Sequence, residues 1–319
     1  ATHTGDVTVN IGTGTNSFTT AATYAGKLTV QGDIDAFAAD TLTGGAGTSD
    51  TLKINAGGTA LGTGDLDTTT LFEVIEIAVD ATIGITTDIL TVGTGKSLSI
   101  TNATQTSAVS TIDVSAETDT TSSQTITLGG SGAHIVTLGS GADTFTGTGT
   151  GVLTVTATAG ANTITTSSGA DIITLGTGAD TVDAGTGLNI IKYANANIGS
   201  TDTITGGALV DTLKQTDDGS VVDADFTLIT SVETLTADAD KQLDVTLGSA
   251  ALAAGLVTIN LIDTTAGTET VVVGAGYTGT LTVDFDTDAL GLNSVIATGS
   301  AATIIVTAAD SDLDTTAQV

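Results

Sequence analysis

The chain has no cysteine, proline, methionine, tryptophan or arginine, and its 319 residues include only 6 Phe and 3 Tyr. Without cysteine there are no disulfides, no thiol nucleophile and no thiolate metal site. Without proline, glycine is the one strong breaker of regular structure. Six lysines face 36 acidic residues, for a formal net charge of −30. Such a surface repels phosphate backbones and anionic lipid, so nucleic acid and membrane are not expected as partners. The longest apolar stretch, 250–262, is interrupted by Gly255, Thr258 and Asn260 and is too short to span a bilayer. The first residue is Ala1 and no basic, leader-like segment follows, so the chain reads as a processed form or an excerpt of a longer protein. Neither H-E-x-x-H nor G-x-S-x-G occurs, and the only histidines are His3 and His134. No enzyme is expected.

What is present is texture with a period. Hydrophobic residues make up 40% of the chain, and they alternate with threonine, the pattern of strands buried on one face. Clear examples are 28–32, 89–93, 153–158, 270–274, 281–285 and 303–307, and the best helix candidate is 248–256. Gly132, Gly141, Gly151, Gly160, Gly169, Gly178 and Gly187 follow one another at intervals of 9, 10, 9, 9, 9 and 9 residues. Four residues beyond each stands Val136, Phe145, Val155, Ile164, Ile173, Val182 or Ile191, an apolar residue every time. A fixed short period is the signature of one coil laid down repeatedly. The expected fold is therefore all-β, a parallel β-roll or β-solenoid with flanking β-rich segments. The reading places a β-rich solenoid-like segment at 1–124, the repeat block at 125–199 and a second β-rich segment at 200–319.

A longer duplication overlies the short one. DTLTGGAGTSDTLK at 40–53 returns as DTITGGALVDTLK at 202–214, and each is followed by a strand carrying a glutamate, read as Glu76 and Glu233. Both glutamates are expected to be structural, at a turn or strand end. A weaker echo of the short repeat lies at 11–20, with Asn16 in the Asp position and Phe18 in the core position.

The units GSGADTFT (139–146), SSGADIIT (167–174) and GTGADTVD (176–183) resemble the repeats-in-toxin (RTX) nonapeptide, G-G-x-G-x-D-x-U-x, whose turns bind calcium. Calcium wants about six to eight oxygens. Glycine turns such as Gly139, Gly141, Gly169, Gly176 and Gly178 can expose carbonyls, and one carboxylate per coil adds charge. Units two apart stack on one edge of a two-strand roll. One edge then carries Asp143, Asn162 and Asp180; the other carries His134, Leu153, Asp171 and Asn189. Pairing along these columns gives roughly two to three ions. Each pair joins a carboxylate to an amide, which weakens affinity towards ~10⁻⁴–10⁻³ M. His134 is read as a degenerate turn residue. By resemblance, Asp40, Asp50, Asp202 and Asp211 add further candidate ligands.

Together the motifs resemble calcium-binding surface-layer (S-layer) proteins of Gram-negative bacteria within the RTX group. That resemblance implies an extracellular, cell-surface structural subunit. It also implies export through a type I pathway with an uncleaved C-terminal signal, and folding on meeting external calcium. The implied partners are further copies of the chain, in a lattice or filament, and cell-surface polysaccharide. The competing reading is an RTX adhesin, extender or ice-binding module, which would need aligned threonine ranks. The threonines are not expected to hold one register over many coils.

Overall fold

The computed structural model describes residues 4–62, 64–87, 96–102, 105–262, 269–285 and 293–308. The strand expected at 89–93, His3 and the tail 311–319 lie outside these. The chain divides into two compact units, Ala1–Gly169 and Ala170–Val319. Both are parallel β-solenoids.

In the first unit one sheet runs through Val7–Asn10, Leu28–Asp33, Thr51–Ala56, Val74–Ile77, Ser97–Thr101, Ser123–Leu128, Thr144–Gly147 and Thr163–Thr165, every pair parallel. A second sheet holds Ile83–Thr86, Ser110–Asp113, His134–Thr137 and Leu153–Thr156. A short third joins Ser17–Thr19, Thr41–Thr43 and Thr69–Thr70. In the second unit the main sheet runs from Ile172–Thr174 through Ile190–Tyr193, Thr212–Gln215, Thr234–Ala237, Thr258–Leu261 and Thr280–Phe285 to Thr303–Ala308. Beside it lie Thr181–Asp183, Thr203–Thr205 and Ile229–Thr230, and a four-strand sheet from Gly219–Val221 to Ser294–Thr298.

Coil length explains the number of sheets. In the repeat block, Thr144 pairs with Thr163 and Ile172 with Ile190, so a coil of 18 or 19 residues has room for two strands and two turns. Outside it, Thr234 pairs with Thr258 and Thr258 with Thr282, 24 residues on each time. The extra residues supply a third strand. The flanking segments are thus solenoid too, with wider coils.

Alternation does the packing. Val136, Phe145, Val155, Ile164, Ile173, Val182 and Ile191 are each at most 1% exposed, as the period predicts. The outward positions of the first unit's long sheet carry two aligned rows, Ser99–Thr125–Thr144–Thr163 and Thr101–Thr127–Thr146–Thr165. Threonine holds register for three or four coils, and the rows then end at Val74 and Glu76, so one register is not kept over many coils. Counting residues between glycines hides the alignment, because loop lengths change while strand register does not.

The expected helix is present as Ser249–Ala254 and ends at Gly255, whose φ of 98° suits a residue without Cβ. Its own sequence offers no acceptor for the first N–H groups. Asp223 supplies it from the preceding coil, accepting from Gly248 (2.7 Å), Ala250 (3.3 Å) and Ala251 (2.9 Å). Asp223→Ala should cost about 1 kcal/mol of stability, read from urea unfolding, the usual loss of an N-terminal cap. A one-turn helix, Ile34–Phe37, was not foreseen.

Candidate calcium-binding turns

Most turns that enter a strand of the repeat block carry a polar side chain pointing along the stack; the turn into Leu153–Thr156 carries Leu153 instead. In the first unit Asp143 accepts from Gln124 N (2.8 Å) through Oδ1 and from Gly139 N (3.1 Å) through Oδ2. Asp143 N donates in turn to Asn162 Oδ1 (3.1 Å), and the Asn162 amide holds the carbonyls of Ala159 and Gly160. In the second unit Asp171 N donates to Asn189 Oδ1 (3.0 Å), Asn189 N to Asp211 Oδ1 (2.8 Å), and Asp211 N to Glu233 Oε2 (2.8 Å). On the other edge Asp180 N donates to Asp202 Oδ1 (2.9 Å). These side chains form ladders: each coil's acid or amide caps the backbone of the coil before it.

The predicted residues largely find their expected neighbours. Asp143 lies with Asn162, Asp171 with Asn189, and His134 in register with Leu153. Asn162 belongs to the first unit and Asp180 to the second. His134 also serves the ladder, since its Nδ1 accepts from Ser110 N (2.9 Å). Asp202 and Asp211 stand directly in the block's own columns, 22 residues beyond Asp180 and Asn189. A search at 18-residue spacing steps past them. Glu233 joins the same column, and its counterpart in the first copy is Glu73, not Glu76. Glu73 Oε2 accepts from Asp50 N (2.9 Å) as Glu233 Oε2 does from Asp211 N. Glu76 instead pairs with Lys53 (2.7 Å) on an outward strand position. Glu76 centres the apolar run in the sequence; only strand register separates the two.

Glycine serves the turns mainly by letting coils touch. A Cβ on Gly141 would stand 1.9 Å from Ser122 O, and one on Gly139 2.8 Å from Glu117 O, though neither residue is left-handed. Unusual dihedrals were the expected reason. They apply at Gly178, with φ 133°. Gly169 precedes the Asp171 turn, and Gly176 lies with Gly178 between Ile172–Thr174 and Thr181–Asp183.

The turn acids are buried. Asp143, Asp171, Asp180, Asp202 and Asp211 are at most 2% exposed. The Lys53–Glu76 and Lys214–Asp238 ion pairs lie elsewhere. Burial raises the Asp143 carboxyl above its usual range against the pull of two backbone N–H groups, and burial with the nearby Glu233 charge does the same to Asp211. Carboxylates, amides and carbonyls are the hard oxygen donors that suit calcium. Among the described residues no three acidic or imidazole side chains converge, so an ion here would draw much of its shell from the backbone.

Residues 156–191 match the family model for the RTX calcium-binding nonapeptide repeat, in four copies. The chain thus carries repeats of a calcium-binding class typical of secreted proteins. No curated protein and no solved structure matches it. Among the described residues no helix is long and apolar enough to cross a membrane.

The raised Asp143 and Asp211 carboxyls set a pH dependence. A carboxyl raised in the fold contributes stability below its unfolded value, near 3.8, and that contribution is lost as pH rises through the folded value. With a chelator present, the protein should therefore unfold at higher urea at about pH 4.5 than at about pH 7. Asp143→Asn should flatten the difference. Calcium reverses the sign, because protons compete with the ion. Asp80 works the other way: the Thr106 hydroxyl and three backbone N–H groups hold it at about 2, so its contribution is lost only as pH falls from 3.8 towards that value.

Proposed function

We propose that the protein is a noncatalytic, calcium-stabilised extracellular structural protein that assembles with copies of itself as an S-layer lattice or surface filament. The observation that carries this reading is the run of turn oxygens, Asp171, Asn189, Asp211 and Glu233, one per coil along a single column, the first three of them buried. In an over-anionic chain, such a column needs a divalent ion to become fully stable. A parallel solenoid also has strand edges at its ends that favour stacking with another copy. Negative-stain electron microscopy of the purified chain in calcium should reveal sheets or filaments that disperse in EGTA. Dispersed monomers in both conditions would remove the assembly half of the proposal.

The two threonine rows support a second reading, an adhesin or ice-binding module. Strands about 4.8 Å apart, with residues i and i+2 about 6.6 Å apart, make a regular hydroxyl and methyl grid. Thermal hysteresis, lost in a Thr144→Lys variant, would favour this reading; its absence would remove ice as the ligand.

A further inference from the structure

The 40–53 and 202–214 copies build the same turn but balance its charge differently. In the first, a Cβ on Gly44 would lie 2.0 Å from Leu71 O and 2.8 Å from Asp50 Oδ2. In the second, a Cβ on Gly206 would lie 1.9 Å from Ser231 O and 2.8 Å from Asp211 Oδ2. Leu71 and Ser231 share a left-handed backbone, φ 61° and 55°, that turns their carbonyls to this point. Each copy thus brings together an Asp, a carbonyl and a Glu.

The partners of these groups differ. Both Asp50 oxygens are engaged, by Leu28 N (2.8 Å) and Gly45 N (2.6 Å). Lys96 lines the same cleft as Glu73, and its charge lowers the Glu73 carboxyl against the larger effect of burial. Asp211 is fully buried, and its Oδ2 accepts no hydrogen bond. Strand register puts Gly255 where Lys96 stands in the first copy, since Val74 pairs with Ser99 and Thr234 with Thr258. A Cβ on Gly255 would be 3.7 Å from Glu233 Oε1. Gly255 has no side chain to offer Glu233.

We propose that Asp211, Glu233 and the Ser231 carbonyl form a calcium site outside the matched repeats, and that the equivalent Asp50–Glu73 turn takes no ion because both Asp50 oxygens are already engaged and Lys96 lines the cleft beside Glu73. The inference rests on the calcium reading above. Two carboxylates at this site, against one carboxylate and one amide in the Asp143–Asn162 and Asp171–Asn189 pairs, make it tighter than those.

Calorimetric titration of the decalcified full chain with calcium chloride tests this. Asp211→Asn and Glu233→Gln should each remove one ion, from the tighter class, while Glu73→Gln leaves the count unchanged. An unchanged count in the first two variants, or an equal loss in Glu73→Gln, overturns the proposal while leaving the repeat sites standing. A wild-type chain that takes up no calcium overturns both. Should the variants fail to fold, crystals of the wild-type chain grown in calcium decide: an anomalous peak about 2.3–2.6 Å from Asp211 Oδ2 is expected, and its absence there overturns the site.

Discussion

Gly141→Ala is expected to cost about 3 kcal/mol or more. The added methyl carbon would meet Ser122 O at 1.9 Å and Ser122 C at 3.0 Å. Both atoms are backbone, so no rotamer change relieves the contact. Either the two coils separate, breaking the Gln124 N to Asp143 bond beside them, or the turn is rebuilt. Gly199→Ala is the matched control, because nothing lies within 4 Å of its added carbon; it should stay within about 0.5 kcal/mol of the parent. Urea unfolding followed by circular dichroism gives both values. Equal stability of the two variants would mean that the coils are not stacked as closely as the structure has them.

Calcium removal should have the other large effect. Ligand that binds only the folded chain stabilises it by about 2.7 kcal/mol per site at a hundredfold excess over Kd. Several sites in one stack should therefore shift the thermal midpoint strongly when EGTA is added. Hydrogen exchange should locate the loss. The amides of Asp143, Asp171, Asn189 and Asp211, which cap one another along the columns, should lose protection before those of Thr280–Phe285, whose strand is held by ordinary pairing. Identical melting and exchange with and without chelator would end the calcium account.

Some of this was open to reading from the residues. The nine-residue period placed seven core side chains correctly, because a repeated turn forces a repeated register. The pairs Asp143–Asn162 and Asp171–Asn189 followed from the same count. The wider coils hid their register, since a third strand lengthens the period from 18 to 24 residues without leaving a motif. That is why Asp202 and Asp211 look secondary in the sequence, and why Glu76 stands out there in place of Glu73.

By itself the sequence determined the fold class, the calcium-type turns and the strongly anionic character, because each is a local or counted property. Only the tertiary structure decided which carboxylates meet. Asp211 finds Glu233, and Lys96 faces Glu73 where Gly255 faces Glu233. The physical reason is that charge balance depends on which coil lies against which, and coil length, not residue type, sets that.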